Sequence, residues 1–589
     1  MVTSINTTFV PAKLDASTFA AVEPLIQSLL KRPVESAADL ERWLIDRGEL
    51  EAACSEVKAD LYIAMTCDTE SEKTQKAYAE FVGEVQPKLT PAFFQLDRRY
   101  VELAARFPLD AKRYGVLDRA VRASVELFRE ENVAIEADLS RLSQQYDQIV
   151  GSMMVTFEGR EQPLPQMARY QEQTDRAVRE SAWRTVNERR IKDAAAIEDI
   201  YDQMIGLRHK IAVNAGSKNF VEHAFKEMHR FDYTPDDCRR FHDGVAEAVV
   251  PLVQEVERRR AAALKVDKLR PWDLAVDVKG RAPLRPFDGG EDLMRKSVAA
   301  CERLDPRLGA MLAELGDGRN SRGASGGACL DLDSRKGKAP GGYQYMRDRS
   351  RRPFIFMNSA GMLKDVETMV HEAGHAFHSM LCREEPLLAY RHSPIEFAEV
   401  ASMSMELLTM PHWGRGGPRS ADGKPVFFED KEDFDRACRE NIQSSVLLLP
   451  WIATIDAFQL WVYGNPGHTR DARTADWLEL DRRFGGTADW TGLEPYKKHF
   501  WQRQIHLFGH PMYYIEYGIA QLGALQLWLI SLERGERAAV DLYMNALRLG
   551  GSRPLPELFR AAGLRFDFGP EALKGLVDRV AAELDRLPD

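Results

Sequence analysis

The chain has 589 residues, enough for several domains' worth of buried core. Lys and Arg total 80 against 90 Asp and Glu, and the resulting net charge of −10 argues against nucleic-acid binding through a broad basic surface. The seven cysteines contain no CxxC pair, which argues against a disulfide framework or a zinc knuckle and favours reduced, buried thiols.

Most of the chain has the periodicity of amphipathic helices. Apolar residues such as Leu139, Leu142 and Tyr146 recur at intervals of three and four, which places them on one helix face. Similar patterns predict helices over 24–66, 116–154, 174–213, 235–264, 289–315 and, with interruptions, from 435 to near the C-terminus. We therefore predict a mostly α-helical protein.

The hydropathy pattern changes once, between residues 316 and 358. A glycine-rich loop, 316–327, is followed by three short apolar or aromatic runs bounded by turn residues, at 328–333, 343–346 and 353–357. We expect these runs to form one small antiparallel β-sheet. A second glycine-rich stretch, 414–423, is predicted to be a surface loop, and its role is left open.

The helix predicted directly after the sheet contains the sequence HEAGH, an HExxH motif. His371 and His375 are one helical turn apart, so both imidazoles can reach one metal ion, and Glu372 can hold a metal-bound water. A catalytic zinc needs a third protein ligand. His378 lies one turn further on and is expected to support the ligands, because a straight helix does not readily wrap three ligands around one ion.

The next predicted helix begins near Pro394 and offers two glutamates as the third ligand. Ser393 and Glu396 have the spacing of a capping box, so Glu396 is expected to be engaged at the helix start. Glu399 is then a carboxylate on an otherwise apolar helix, where a metal would supply the partner that a buried charge needs. We predict Glu399 as the third ligand and Glu406 as a residue that supports the ligands.

A second cluster of histidines and tyrosines lies closer to the C-terminus. His506 and His510 precede Pro511, which can start a helix that presents Tyr513 and Tyr517 on one face. Imidazole N–H and phenol O–H groups can donate to the oxyanion that forms during amide hydrolysis. The residues by themselves leave open which of the two histidines has this role.

Five stretches, in order along the chain, carry a likeness to a known family: 332–343, 353–358, 371–378, 394–402 and 513–517. In these stretches the chain resembles the thimet oligopeptidase and oligoendopeptidase F metallopeptidases, on the oligoendopeptidase F side. The resemblance also extends back over about 116–284. It implies a mostly α, elongated multi-helix body with a deep substrate channel, one Zn²⁺ per chain and cleavage of short peptides.

The resemblance also implies roles for individual residues. It maps the zinc ligands onto His371, His375 and Glu399, and the general base onto Glu372. It maps the transition-state donors onto His506, Tyr513 and Tyr517, with His506 preferred to His510. We expect an extended substrate to pair with an edge of the small sheet. The residues expected to contact the substrate are Gly341, Gly342, Tyr343, His510 and Tyr514.

These observations together predict a zinc-dependent endopeptidase that hydrolyses internal bonds of short, unfolded oligopeptides. The alternatives are a dedicated zinc carboxypeptidase of related helical fold and a non-catalytic peptide-binding scaffold, which would require a broken ligand set. We predict an N-terminal helical domain, 1–205, that forms one wall of the channel, and a catalytic domain, 206–589, that includes the sheet at about 328–358. The first residues resemble no signal peptide and no apolar run is long enough to span a bilayer, so we expect a cytoplasmic protein with no membrane partner. The oligomeric state stays open.

Overall fold

The computed structural model describes residues 9–319 and 329–588. The predicted glycine-rich loop 316–327 lies mostly outside the described residues, as does residue 328, the first of the predicted sheet.

Helices dominate the described chain, as the sequence predicted. Those before the three-stranded sheet are α1 (Phe19–Lys31), α2 (Ala37–Cys67), α3 (Glu72–Glu80), α4 (Gln86–Arg106), α5 (Ala111–Leu127), α6 (Glu130–Gly151), α7 (Ala168–Gln171), α8 (Arg176–Lys192), α9 (Ala194–Asn214), α10 (Phe220–Glu227), α11 (Pro235–Gly244), α12 (Val250–Leu264), α13 (Gly289–Leu304) and α14 (Pro306–Glu314). Those after it are α15 (Leu363–Leu381), α16 (Leu388–Arg391), α17 (Ile395–Leu408), α18 (Lys431–Gly464), α19 (Arg470–Phe484), α20 (Glu494–Lys497), α21 (His506–Gly509), α22 (Tyr514–Arg534), α23 (Glu536–Leu547), α24 (Leu555–Ala561) and α25 (Pro570–Leu584). Two five-residue π-helical segments, Phe81–Val85 and Val245–Val249, join α3 to α4 and α11 to α12.

The prediction of one small antiparallel sheet is wrong in two respects. The strands are β1 (Met154–Phe157), β2 (Arg160–Pro163), β3 (Leu330–Asp333), β4 (Tyr343–Arg347) and β5 (Arg352–Ser359). The first two form a separate hairpin, and the other three form a sheet of order β3-β5-β4 in which β3 and β5 run parallel. The loop after β3 is long enough to carry the chain past the position that β5 later fills, so β5 lies in the centre, and within the described residues no strand pairs with the outer edge of β4.

The buried apolar residues of the described chain form one large core, a smaller one and two minor clusters. The large core extends from Leu142 to Leu584 and surrounds α15, α17 and α22. The smaller one consists mainly of residues from α1, α2, α4 and α5. The domain division predicted after residue 205 falls inside α9, and it stays a prediction. The packing itself changes from the smaller core to the larger one between Leu117 and Leu142.

Close helix contacts bring the functional elements together, and glycines make two of them possible. A side chain at Gly374 would lie 2.5 Å from the Ala401 carbonyl oxygen, so only glycine lets α15 approach α17 this closely. A side chain at Gly523 would lie 2.8 Å from a methyl group of Val400, and α22 therefore packs against the other face of α17. The helix of the HExxH motif and the helix of the tyrosines are thus both in contact with the helix of Glu399.

Two helices, α18 and α22, are long and apolar enough to pass a test of length and composition for crossing a membrane. Most of each apolar stretch is buried against the rest of the protein, which is also typical of core helices. All seven cysteines belong to the described residues and are buried, and no disulfide joins them, which confirms the prediction of buried thiols.

Candidate metal centre and active site

Helix α15 presents two histidines to a carboxylate on α17. His371 Nε2 lies 3.4 Å from Glu399 Oε2, and His375 Nε2 lies 3.7 Å from the same oxygen. One donor atom of each of the three residues lies within 4.8 Å of the others. Two imidazole nitrogens and one carboxylate oxygen that converge in this way are a donor set that suits zinc.

The three converging side chains are oriented by partners outside the cluster. His371 Nδ1 lies 2.6 Å from Glu406 Oε1, so this nitrogen donates to Glu406 and Nε2 faces the cluster. Ser402 Oγ donates to Glu399 Oε2 at 2.9 Å. The structure therefore brings the predicted supporting residue Glu406 into direct contact with His371. His378 is different, because it is buried, its Nδ1 is 3.4 Å from Ser393 Oγ, and its Nε2 has no partner among the described residues.

Glu396 does not form the predicted capping box. Pro394 holds the N-cap position of α17, and Glu396 Oε1 instead accepts a hydrogen bond from Tyr233 Oη at 2.7 Å. The expectation that Glu396 is engaged at the helix start is therefore wrong, because its partner comes from a distant part of the chain. Glu399 is one turn further along α17 and faces the histidines.

The electrostatics of the cluster keep His375 neutral and the Glu399 carboxylate ionised, whereas hydrogen bonds to Glu399 and Glu406 outweigh burial and raise the pKa of His371 well above its usual range. Burial alone would raise the pKa of Glu399, but His375 and the hydrogen bond from His371 lower that pKa to about 2. Burial lowers the pKa of His375 to about 4. A neutral imidazole and an ionised carboxylate are the protonation states in which these side chains bind a metal.

Glu372 follows His371 on α15 and is also buried, but its surroundings are different. Burial raises the pKa of this carboxyl to about 7, against a smaller opposing effect of His371. Its carboxylate also accepts a hydrogen bond from the backbone N–H of Gln344 in β4. Glu372 thus lies between the histidine pair and the open edge of the sheet, and its pKa suits a group that takes and returns a proton near neutral pH.

The second cluster lies directly beside Glu399. Tyr513 Oη donates to Glu399 Oε1 at 3.2 Å, and the rings of Tyr513 and Tyr517 are 5.0 Å apart. The His506 ring lies 5.8 Å from that of Tyr513 and 6.0 Å from that of Tyr517. The structure therefore brings His506, Tyr513 and Tyr517 together at the predicted metal site. His510 is more exposed, and its ring is 6.5 Å from that of Tyr513.

A relay of hydrogen bonds determines which nitrogen of His506 carries its proton. The indole Nε1–H of Trp451 can only donate, and it does so to Gln504 Oε1 at 3.1 Å. The Gln504 amide group Nε2 therefore faces His506 and donates to Nδ1 at 2.7 Å. Because burial lowers the pKa of His506 to about 4, the ring is neutral near pH 7 and its proton lies on Nε2.

Buried arginines hold the irregular segment that carries His506 and Tyr513. Arg208 of α9 donates to the Leu507 carbonyl oxygen at 2.8 Å and also to that of Phe508. Arg230 donates to the Met512 carbonyl oxygen at 2.6 Å, and Met512 has a φ of 65°, a conformation that costs energy for a side chain of this kind. These contacts hold the chain in a strained turn directly before Tyr513.

Sequence reasoning missed these arginines and the Gln504 relay. Arg208 lies on the same buried stripe of α9 as Met204 and Ile211. An arginine on an apolar helix face needs buried hydrogen-bond partners, and this feature of the sequence could have indicated its role. Nothing local marks Gln504 or Trp451, because their roles depend on contacts between α18 and the segment before α21.

Among the predicted substrate contacts, Tyr343 points away from the metal ligands. Its hydroxyl group lies 2.6 Å from Thr66 Oγ1 of α2, and its ring stacks on Phe356. Gly341 and Gly342 lie just before the edge strand β4, and the Gly341 carbonyl oxygen accepts a hydrogen bond from Asn358. Tyr514 is close to His506, with 5.1 Å between their rings.

The geometry defines the class of protein. An HExxH helix, a glutamate from the next helix in contact with both histidines, and a buried glutamate beside them form the site of a metallopeptidase. Residues 169–577 match the model of peptidase family M3, and the chain belongs to this family. The resemblance seen in the sequence is thereby confirmed.

Individual relatives agree with this assignment. Over 359 aligned residues the chain is 23% identical to the oligopeptidase PepF of Bacillus subtilis. The aligned region covers 58% of this chain and 47% of that protein. The match thus spans about half the length of the curated relative. The fold is similar to that of PZ peptidase A solved with an inhibitor, at a TM-score of 0.84, 28% identity and 96% coverage of both chains. A structure assigned to oligoendopeptidase F has a TM-score of 0.85 with 28% identity and 98% coverage of both chains.

Proposed function

We propose that this protein is a zinc endopeptidase that hydrolyses internal bonds of short, unfolded oligopeptides. The observation that carries the proposal is the convergence, around Glu399, of two histidines from one side and a cluster of hydrogen-bond donors from the other. The buried Glu372 supplies a proton acceptor at the same place. Membership of a peptidase family supports the same reaction class.

The donor set fits one Zn²⁺ held by His371, His375 and Glu399. Two neutral imidazoles and a carboxylate are typical of a catalytic zinc, and the contact from Glu406 to His371 is the kind of support that such ligands have. When bound, zinc acts as a Lewis acid that polarises a carbonyl group and lowers the pKa of water.

Glu372 moves the proton in the proposed reaction. Its carboxylate accepts a proton from the water molecule whose oxygen attacks the peptide carbonyl carbon. The same proton then passes to the amine nitrogen as the carbon–nitrogen bond breaks. A carboxyl group with its pKa raised to about 7 by burial can perform both transfers near neutral pH.

The second cluster stabilises the negative charge that develops on the carbonyl oxygen. Gln504 leaves the Nε2–H of His506 as a donor, and Tyr517 offers a phenol O–H beside it. Tyr513 donates to Glu399 in this structure and is available as a further donor to the substrate. Such fixed donors act mainly on the transition state.

The open edge of β4 supports binding of an extended peptide. In the order β3-β5-β4, one side of β4 has no neighbouring strand in the part of the chain that the structure describes, and the N–H group of Gln344 on this strand contacts Glu372. A peptide added along this edge passes the catalytic groups. A folded protein presents no such free strand, so we propose that substrate length and folding state act as the main filters.

The test is digestion of a peptide blocked at both ends, with products identified by mass. Internal cleavage that stops with a chelator and returns with Zn²⁺ supports the proposal. A strict requirement for a free C-terminus would indicate a carboxypeptidase, and no cleavage by metal-loaded protein would indicate a peptide-binding scaffold. The cytoplasmic location and the lack of nucleic-acid and membrane partners stay predictions.

A further inference from the structure

Strand β4 begins beside the face of α15 that carries Glu372. A side chain at Gly342 would lie 3.4 Å from the Thr368 methyl group, and Gln344 Nε2 lies 3.5 Å from Ser379 Oγ. Thr368, Glu372 and Ser379 are separated by one and two helical turns, so they share one stripe of α15. The start of β4 is therefore the part of the strand nearest to the proposed bond cleavage.

The far end of β4 leads to helix α2. Four residues beyond Gln344, Asp348 Oδ2 accepts a hydrogen bond from Ser55 Oγ at 2.6 Å. Tyr62, two turns further along α2, has its ring 5.8 Å from that of Tyr345 in β4. Since a strand advances about 3.3 Å per residue, Asp348 lies about 13 Å along the chain from Gln344. Helix α2 therefore runs alongside this part of β4.

A cavity of about 450 Å³ lies beside the same stretch of α2. Ser55 lines it together with Lys58, which is on the stripe of α2 between Ser55 and Tyr62. The other sides come from α4, from the π-helical segment before it and from the end of α5. Pockets that bind ligands typically measure roughly 300–1,000 Å³. The cavity thus has a suitable size and shares a residue with the contact between α2 and the end of β4.

The surface of this cavity is mainly apolar and largely aromatic. The rings of Phe94 and Phe128 stack with 3.8 Å between their centres, and both are partly exposed, as is Phe93. The buried side chains of Phe81 and Leu89 complete the apolar lining. Partly exposed aromatic side chains around one concave surface are typical of a site that binds an apolar group.

The charged residues of the lining do not favour an ionic ligand. One guanidinium group neutralises both carboxylates, because Arg47 Nη2 lies 2.8 Å from Glu51 Oε1 and 2.6 Å from Asp97 Oδ1. Lys58 has a long apolar stem, and such a side chain can cover apolar surface while its ammonium group stays in water. The chemistry of the lining therefore favours an uncharged, apolar ligand.

We propose that this cavity is a subsite for an apolar side chain of a peptide bound along β4, about four residues from the cleaved bond. The inference rests on the proposed peptidase function, because it names a feature of the same substrate. A peptide paired with a strand advances in step with it, so the peptide residue beside Asp348 is about four positions from the one beside Gln344. The direction in which the peptide pairs decides whether this side chain lies on the N-terminal or the C-terminal side of the bond.

The first experiment measures binding without hydrolysis. Zinc-loaded Glu372→Gln protein is titrated calorimetrically with three peptides that are blocked at both ends. One has phenylalanine near its N-terminal end, one has it near its C-terminal end, and the third has serine at both positions. We expect one phenylalanine peptide to bind about tenfold or more tightly than the serine peptide, because burial of an aromatic side chain is favourable. Mass analysis of the products made by the wild-type protein locates the cleaved bond, which should lie about four residues from the preferred phenylalanine.

Variants then test whether the cavity causes the preference. Phe94→Ser removes part of the aromatic wall, and Thr90→Trp places a large ring at an exposed position of the lining. Each variant, made in the Glu372→Gln background, should bind the phenylalanine and serine peptides equally. Val82→Ser and Lys88→Trp are the matched controls, because both positions are exposed, lie nearby in the chain and are outside the lining. They should keep the full preference, with unchanged thermal stability and zinc content in all four variants.

Three outcomes overturn the inference. The first is equal affinity of the Glu372→Gln protein for all three peptides, including no measurable binding of any. The second is a preference that survives in both Phe94→Ser and Thr90→Trp. The third is a preferred phenylalanine directly beside the cleaved bond. Failure of the proposed function is distinguishable from these outcomes, because it appears as a lack of hydrolysis by the zinc-loaded wild-type protein while the binding measurements remain interpretable.

Discussion

The metal-binding region and the donor region lie side by side but are built differently. His371 and His375 are on one regular helix, and Glu399 is on a second helix that contacts the first closely at Gly374. His506 lies in a one-turn helix, and a strained turn at Met512 follows before α22 begins. The first region is set by helical periodicity and one close contact, whereas the second depends on hydrogen bonds from residues hundreds of positions away.

The difference teaches that two halves of one site can differ in how well they tolerate substitutions elsewhere in the chain. A helix holds its side chains through hydrogen bonds within its own backbone, so changes elsewhere affect it little. The segment around His506 lacks that internal support. Arg208 and Arg230 bind its carbonyl groups instead, and Gln504 orients its imidazole. Variants that are distant in sequence should therefore affect the donors more than the metal ligands.

The largest expected effect tests the metal-binding region. Glu399→Ala removes one of three predicted ligands, so zinc content and activity should both fall to background. Glu396→Gln is the matched control on the same helix, because an amide can still accept the hydrogen bond from Tyr233. Metal analysis of the purified proteins checks this. Loss of zinc from Glu396→Gln with full retention in Glu399→Ala would contradict the assignment.

Glu372→Gln should retain zinc and the fold but lose activity by about 10²–10⁴-fold, a typical loss for removal of a general base. The amide keeps the size of the side chain and cannot take a proton. Steady-state kinetics with zinc content measured on the same sample checks this result. Near-normal turnover by a zinc-loaded variant would exclude Glu372 from the proton transfer.

Tyr517→Phe should lower kcat by about 10²–10³-fold with little change in KM, because the phenol donates to charge that exists only near the transition state. The ring remains, so packing against Tyr513 should survive. Kinetics on an internally quenched peptide, with thermal stability as the control, separate this role from simple packing. A tyrosine that only packs would leave kcat unchanged.

Gln504→Glu should make the protonation of His506 depend on pH in the neutral range, which it does not in the wild-type protein. In the wild type the His506 pKa of about 4 keeps the ring neutral from pH 5 to 8, with its proton on Nε2. A carboxylate at position 504 favours a proton on Nδ1 and raises the pKa of the ring. The ring also interacts with His510, Tyr513, Tyr514, Tyr517 and the charge of Glu399. These groups are the same in both proteins.

In this variant, kcat should fall by about tenfold or more as pH rises through the raised pKa, because the imidazolium loses its Nε2 proton and with it the donor. The comparison of kcat profiles between pH 5 and 9 measures the effect. Parallel profiles for variant and wild type would show that Gln504 only packs.

Arg208→Lys is expected to have the smallest effect. Lysine keeps the charge but cannot reach the Tyr463 hydroxyl group and both carbonyl groups at once, so the segment at His506 should shift slightly. We expect kcat to fall by about tenfold, since small misplacement of catalytic groups is costly, while zinc content stays normal. Equal loss of zinc and kcat would mean that the two regions are not independent.

Much of the fold and most of the site follow from the sequence. The helical character, the HExxH pair and the choice of Glu399 over Glu396 all derive from periodicity and from the presence of one carboxylate on an apolar helix. The predicted capping box at Ser393 is wrong, because Glu396 accepts a hydrogen bond from Tyr233 in the folded state. Short strands that are close in sequence predict an antiparallel sheet, but this pattern does not reveal which strand takes the central position.

The sequence by itself determined the residues that lie on common helix faces, since the spacing of side chains along a helix is a local property. Only the tertiary structure decided how those faces meet. It brought Tyr513 to Glu399 and directed Gln504 to His506. Such contacts join segments that are far apart in the chain, and they form only when burial of the whole core offsets the entropy lost in closing the intervening loops.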